Sequence, residues 1–162
     1  MPRILVDADA CPVKEEVYRV ARWLAVPVIV VANSRMQVPL AATIELVVVA
    51  SGQLDDVDDW IALRSGVDDI VISADIRLAA RCLAAGAQVL APDGRPFTDE
   101  GIGSALATRE LLAGLRELGT ISGGPPPFAA KDRSRFLHAL DEAVRKASRR
   151  KVSLSGPDRA PA

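Results

Sequence analysis

The sequence predicts an α/β protein: a three-layer α/β/α domain around a mostly parallel central sheet. Three observations predict it. Short runs rich in Val and Ile recur at 3–7, 27–32, 45–50, 69–73 and 87–91. Stretches with helical spacing separate most of them, the rhythm of βαβ units. The runs show little apolar/polar alternation, as expected of strands covered on both faces.

Each element has its own signal. The first run, Arg3-Ile4-Leu5-Val6-Asp7, leads into a helix over 12–25 that sets Val13, Val17, Val20, Ala21 and Leu24 on one stripe. Pro12 suits the first position of that helix, where its missing N–H costs nothing. Further helices are expected over 55–65, with Trp60 and Ile61 in the core, over 75–85, and over 101–118, where Leu111, Leu115 and Leu118 align. Residues 119–127, Gly-Thr-Ile-Ser-Gly-Gly-Pro-Pro-Pro, are too rich in Gly and Pro for either regular element and read as a loop or strap. A last helix over 132–149 takes Asp132 as N-cap and turns Leu137, Leu140 and Val144 to one side. From Val152 onward Ser, Gly, Pro and Ala predominate, so residues 1–150 are expected to form a single domain and 151–162 a disordered basic tail.

Length and composition agree with one soluble globular domain: 162 residues, 49% hydrophobic and 25% charged. No run approaches the roughly 18 apolar residues that span a bilayer, and no basic-then-apolar leader is visible. Cys11 and Cys82 lack metal-type spacing and read as reduced thiols. The expectation is a cytoplasmic protein without a membrane partner. The net charge of −1 conceals an asymmetry, because residues 1–130 carry 11 Lys/Arg against 17 Asp/Glu, whereas residues 131–162 carry 9 against 4. An acidic body with a basic end suits a metal-loaded site that handles a polyanion; the plainer reading is a solvated helix face.

The acids carry the chemistry. Asp7 with Asp9, the cluster Asp55-Asp56-x-Asp58-Asp59, Asp75 and Asp93 all fall at or near carboxyl ends of expected strands. Parallel strands point those ends the same way, toward the crevice where open α/β sheets bind ligands. Crowded carboxylates repel one another unless a cation neutralises them, and oxygen-only donors suit Mg²⁺ or Mn²⁺. Asp7 is the strongest candidate, because it ends an apolar strand where Leu or Val would be unremarkable. The others have structural readings too: Asp75 as an N-cap, Asp55 and Asp56 as first-turn acids, Asp9 and Asp93 as turn residues. Lys14 opposes the dipole in the first turn of its helix, which a phosphate-facing role would explain. Asn33 ends the second strand in the same plane as Asp7 and could orient substrate. His138 is the only histidine, so a Ser-His-Asp triad or histidine-rich zinc site has little to build on. Cys11 as a nucleophile lacks a base.

Several stretches carry a family resemblance. They are Asp7-Ala8-Asp9-Ala10-Cys11-Pro12, Val31-Ala32-Asn33, Asp55-x-x-Asp58-Asp59 and Val71-Ile72-Ser73-Ala74-Asp75-Ile76 with Leu78-Ala79-Ala80. Gly123-Gly124-Pro125 and Asp132-Arg133-Ser134 complete the set. In this order, over about residues 3–145, they resemble the YaiI/YqxD family of bacterial proteins. One departure is Arg77, where that family usually has proline. The resemblance implies a PIN-like domain, a small α/β fold that holds Mg²⁺ or Mn²⁺ with strand-end acids and cuts RNA or DNA. By that likeness Asp7, Asp58 and Asp75 are the catalytic metal ligands, with Asp9 and Asp55 as helpers.

The leading expectation is therefore a nuclease that hydrolyses RNA or another nucleic acid with metal-activated water, Lys14, Asn33, Arg109 and Arg133 steering the phosphate. A non-catalytic module that binds metal or nucleic acid is the alternative. An aspartate-nucleophile phosphatase of the haloacid dehalogenase type, prompted by Asp7-x-Asp9 and Ser73, is weaker: Cys11 stands where Thr or Val usually follows.

Overall fold

The computed structural model describes residues 1–9, 11–49, 56–104, 107–108 and 128–154. In chain order these form β1 (Arg3–Asp7), α1 (Lys14–Leu24), β2 (Val28–Ala32), β3 (Ile44–Val48), α2 (Asp56–Arg64), β4 (Asp69–Ile72), α3 (Ile76–Ala84), β5 (Gln88–Leu90) and α4 (Ala130–Leu154). Residues 99–104 are also helical. The strands make one five-stranded sheet of order β3-β2-β1-β4-β5, and every neighbouring pair is parallel. Asp7 aligns with Val31 of β2 on one side of β1, and Val6 with Ile72 of β4 on the other.

Side-chain alternation along the central strand divides the core in two. Ile4 and Val6 join Val13, Val17, Val20 and Ala21 of α1 with Phe136, Leu140, Val144 and Ala147 of α4. Leu5 joins Val57 and Ile61 of α2 with Leu78, Ala79 and Cys82 of α3. The molecule is thus a three-layer α/β/α sandwich, as the buried strands foretold. Asp7 follows Leu5 by two residues and so faces the α2/α3 layer.

Several boundaries differ from expectation for physical reasons. α1 starts two residues after Pro12, because its first turn closes with the Val17 N–H bonded to the Val13 carbonyl; Pro12 sits in the preceding turn. α4 starts at Ala130, so Asp132 is not the N-cap. Its carboxylate instead reaches back to accept the Ala129 N–H, the acid's half of a capping box. The same helix runs through Leu154, beyond both the expected end at 149 and the expected start of a disordered tail. Trp60 is half-buried, with the Arg64 guanidinium 4.3 Å above its ring, whereas Ile61 is fully buried. Of the helix expected over 101–118, its aligned leucines lie outside the described residues, as do the 119–127 segment and residues 155–162.

Two contacts fix the course of α4. Arg133, near its start, donates to the Pro12 carbonyl at 2.7 Å, at the carboxyl edge of the sheet. Gln88, at the amino end of β5, donates to the Ala143 carbonyl at 3.1 Å. α4 therefore runs alongside α1 in the same direction, antiparallel to the strands. Gly94 lets the β5 turn approach it: with φ of +89°, a Cβ there would lie 2.8 Å from the backbone of Arg135 and Phe136.

Candidate active site

The chain order moves outward from β1 in both directions, to β2 by α1 on one face and to β4 by α2 on the other. The gap between the carboxyl ends of β1 and β4 is the switch point where such sheets bind ligands. Asp7 ends β1 and Ser73 follows β4 at that gap. Asp7 is 9% exposed and Ser73 3%. The Ser73 hydroxyl donates to Asp7 Oδ2 at 3.0 Å and accepts the Asp75 N–H at 3.0 Å. One small buried hydroxyl thus links two of the expected site acids.

Burial pushes the Asp7 carboxyl above its ordinary range; the Ser73 hydrogen bond opposes this, and the charges of Asp9 and Asp75 add to it. The Asp9 N–H also donates to Asp7, favouring its anion. No ion pair among the described residues reaches Asp7, Asp9 or Asp75. Asp7 thus interacts with the carboxylates of Asp9 and Asp75 at the switch point, with no ion pair on these three among the described residues.

Asp75 has a second duty. It is the N-cap of α3, its Oδ1 accepting the N–H groups of Arg77 at 2.8 Å and Leu78 at 3.2 Å. A proline at 77 could not make the first of these bonds. Asp58 of α2 shares a recess with Asp75, Arg77 and Arg81. Its neighbour Asp59 is taken up by Arg81 at 2.6 Å, a bridge between α2 and α3. Asp9 is exposed at the mouth of the crevice. Asp55 and Arg109 lie outside the described residues.

The expected phosphate-binding residues have local employment. Lys14 donates through Nζ to the Cys11 carbonyl at 3.1 Å, which accounts for a cation in a helix's first turn. Arg133 holds the Pro12 carbonyl, approaches Glu16 Oε1 at 3.4 Å and lies 5.1 Å from the Phe128 ring centroid. Asn33 is exposed just past β2. Asp93 accepts the Arg95 N–H and pairs with its guanidinium, the ordinary turn expected of Asp-Gly. Cys11 is buried, and that burial raises its thiol's pKa, the reverse of an activated nucleophile.

A hard divalent cation was tested against these side chains. The donor chemistry fits: Asp7, Asp9, Asp58 and Asp75 offer only oxygens, and Asp7 interacts electrostatically with Asp9 and Asp75. Among the described residues, however, no group of three or more His, Cys, Asp or Glu side chains is gathered closely enough to hold one ion. Ser73, marked in the sequence only for the phosphatase alternative, is the link between Asp7 and Asp75. Its signal was a lone hydroxyl closing the apolar run Asp69-Ile-Val-Ile.

The family described as uncharacterized BCR, YaiI/YqxD matches residues 5–146. The chain belongs to that family. A UPF0178 protein of Rhodopseudomonas palustris (strain HaA2) is 54% identical over 151 residues, covering 93% of this chain and 92% of the relative. A UPF0178 protein of Sphingopyxis alaskensis is 58% identical over 144 residues, covering 88% and 93%. No solved structure matches the chain. Membership covers every acid discussed above, Asp55 and Asp58 included. No helix among the described residues is long and apolar enough to cross a membrane.

Proposed function

We propose that this YaiI/YqxD protein is a Mg²⁺- or Mn²⁺-dependent nuclease of PIN-like type that hydrolyses phosphodiester bonds of RNA or another nucleic acid in the cytoplasm. The observation that carries the reading is buried Asp7 at the switch point, interacting with the carboxylates of Asp9 and Asp75, none of the three in an ion pair among the described residues. Asp7, Asp58 and Asp75 would hold the cation, with Asp9 and Asp55 as the expected helpers. When bound, such an ion supplies an activated water and neutralises charge on the phosphate. Ser73 holds Asp7 and the start of α3 in register, and the α3 cap fixes where the Asp75 carboxylate sits. Lys14, Asn33, Arg109 and Arg133 are the groups expected to orient the phosphate, Lys14 and Arg133 by exchanging the backbone carbonyls they now hold.

The test begins without a substrate. Melting temperature is measured against Mn²⁺ and Mg²⁺ concentration for the wild type, Asp7→Asn and Asp75→Asn. Asparagine can still cap α3, so the second change removes charge and keeps the helix start. A saturable rise in the wild type, absent in both variants, is expected from linkage. Metal-dependent cleavage of labelled RNA or DNA, lost in Asp7→Asn, completes the test. No response to either metal, with all three proteins folded, would remove the chemistry.

The double use of Asp75 and the lack of three gathered ligands among the described residues favour a second reading, a nucleic-acid-binding module without hydrolysis. Nucleic-acid binding that survives Asp7→Asn, with no cleavage under either metal, would select it.

A further inference from the structure

The basic end of the chain, past Arg133 and Arg135, leads away from the acid crevice. α4 carries Arg145 and Arg149 toward the amino edge of the sheet, about 24 Å along the helix from Arg133 at 1.5 Å per residue. There a groove runs between α1 and α4, lined by Leu24, Val144, Arg145, Ser148 and Arg149. Its α1 rim follows from helical spacing. Glu16 meets Arg133 of α4, and Arg19 and Trp23, three and seven residues on, continue the same flank. Trp23 is 69% exposed, an unusual position for the largest apolar side chain.

The charges facing this groove do not cancel. Asp141 pairs with Arg145, and Glu16 is engaged by Arg133 at the far end. Glu15, one turn before Arg19, forms no ion pair with it, and neither Arg19 nor Arg149 has a carboxylate partner among the described residues. Glu142 lies on the opposite flank of α4, beside Gln88 and Lys146.

We propose that this groove binds single-stranded nucleic acid, with Arg19 and Arg149 on backbone phosphates, Arg145 in support and Trp23 stacked on a base. Guanidinium forks match phosphate oxygens, and an exposed aromatic between cations is the stacking platform of sequence-tolerant single-strand binding. An anionic membrane would recruit more apolar surface, and Trp23 is the one large apolar side chain exposed on the described parts of α1 and α4. The inference extends the nucleic-acid reading but needs no catalysis: the groove would hold a strand at the end of the sheet opposite the crevice.

The test is anisotropy of a fluorescein-labelled 20-nucleotide oligouridylate with the full chain in EDTA, where metal-dependent cleavage is silent. Arg19→Glu/Arg149→Glu is expected to weaken binding at least tenfold and to flatten its salt dependence. Trp23→Ala is expected to weaken it about tenfold. Arg35→Glu, an exposed cation elsewhere, is expected to bind as the wild type does. Wild-type failure to bind, reversals that bind normally, or binding of phosphatidylglycerol vesicles in place of the oligonucleotide would each overturn the proposal. Groove-dependent binding without cleavage under any metal sinks hydrolysis and leaves the groove standing. Metal-dependent cleavage without groove-dependent binding does the reverse.

Discussion

Asp7 is the residue in which sequence, burial and charge meet. Its carboxyl titrates above the unfolded value of about 3.9, so the native state holds the proton more tightly than the unfolded chain does. This contribution is most favourable below that unfolded value and declines as pH rises through the folded one. Asp7→Asn cannot ionise and can still accept from Ser73. It is therefore expected to melt about 2–4 °C higher than wild type at neutral pH without metal, the gap closing toward pH 4. Calorimetry across that range checks it, and a variant less stable at every pH would refute it. Asp75 divides differently: Asp75→Ala is expected to cost about 1 kcal/mol through the lost cap, and Asp75→Ser to recover most of that while still failing to respond to Mn²⁺. Asp7 was legible because an acid stands where an apolar strand should end. Ser73 was legible only as a strand-end hydroxyl, since its hydrogen bond goes to a residue 66 positions away. Lys14 shows a related limit: the sequence has a cation against a dipole but not the Cys11 carbonyl that receives it.

The elements were legible where the periodicity was strong, and five strands and four helices lie within a few residues of their expected spans. Boundaries slipped where a turn decided them, as at Pro12, or where capping was shared between residues, as at Asp132. α1 ends at a position no apolar pattern reveals: Ala25 takes the left-handed conformation, φ 54°, a geometry that favours glycine. Ala25→Gly is expected to stabilise the protein by about 0.5–1 kcal/mol, read from denaturant midpoints at unchanged slope. The reverse holds at Gly94. Gly94→Ala imposes a left-handed alanine and drives its Cβ against the α4 backbone, and is expected to cost more than about 2 kcal/mol. Hydrogen exchange should then rise first in α4, because that turn is its contact with the β5 end.

For the whole molecule, buried strands and crossover helices announced a doubly covered sheet, and the order β3-β2-β1-β4-β5 then places the crevice. Strand order is set by pairing between distant segments, so composition could suggest a convergence of acids but not which of them meet. Charge balance shows the same limit. The basic end was visible as a count, yet only the direction of α4 separates it from the acids. A chain bearing Asp7→Asn is accordingly expected to lose cleavage and keep oligonucleotide affinity, a separation that filter binding and gel assays on one preparation would read.

The central place of β1 also sets a schedule. Its edge toward β2 closes early, after one helix, whereas its edge toward β4 waits for a strand about 66 residues beyond β1 to leave the ribosome. Until then the nascent half-sheet presents an open row of N–H and C=O groups flanked by Ile and Val, with Asp7 at its rim. The crevice thus comes into being only after β1, β2 and β3 are available to pair, and any delay in delivering β4 is time in which another strand can take its place.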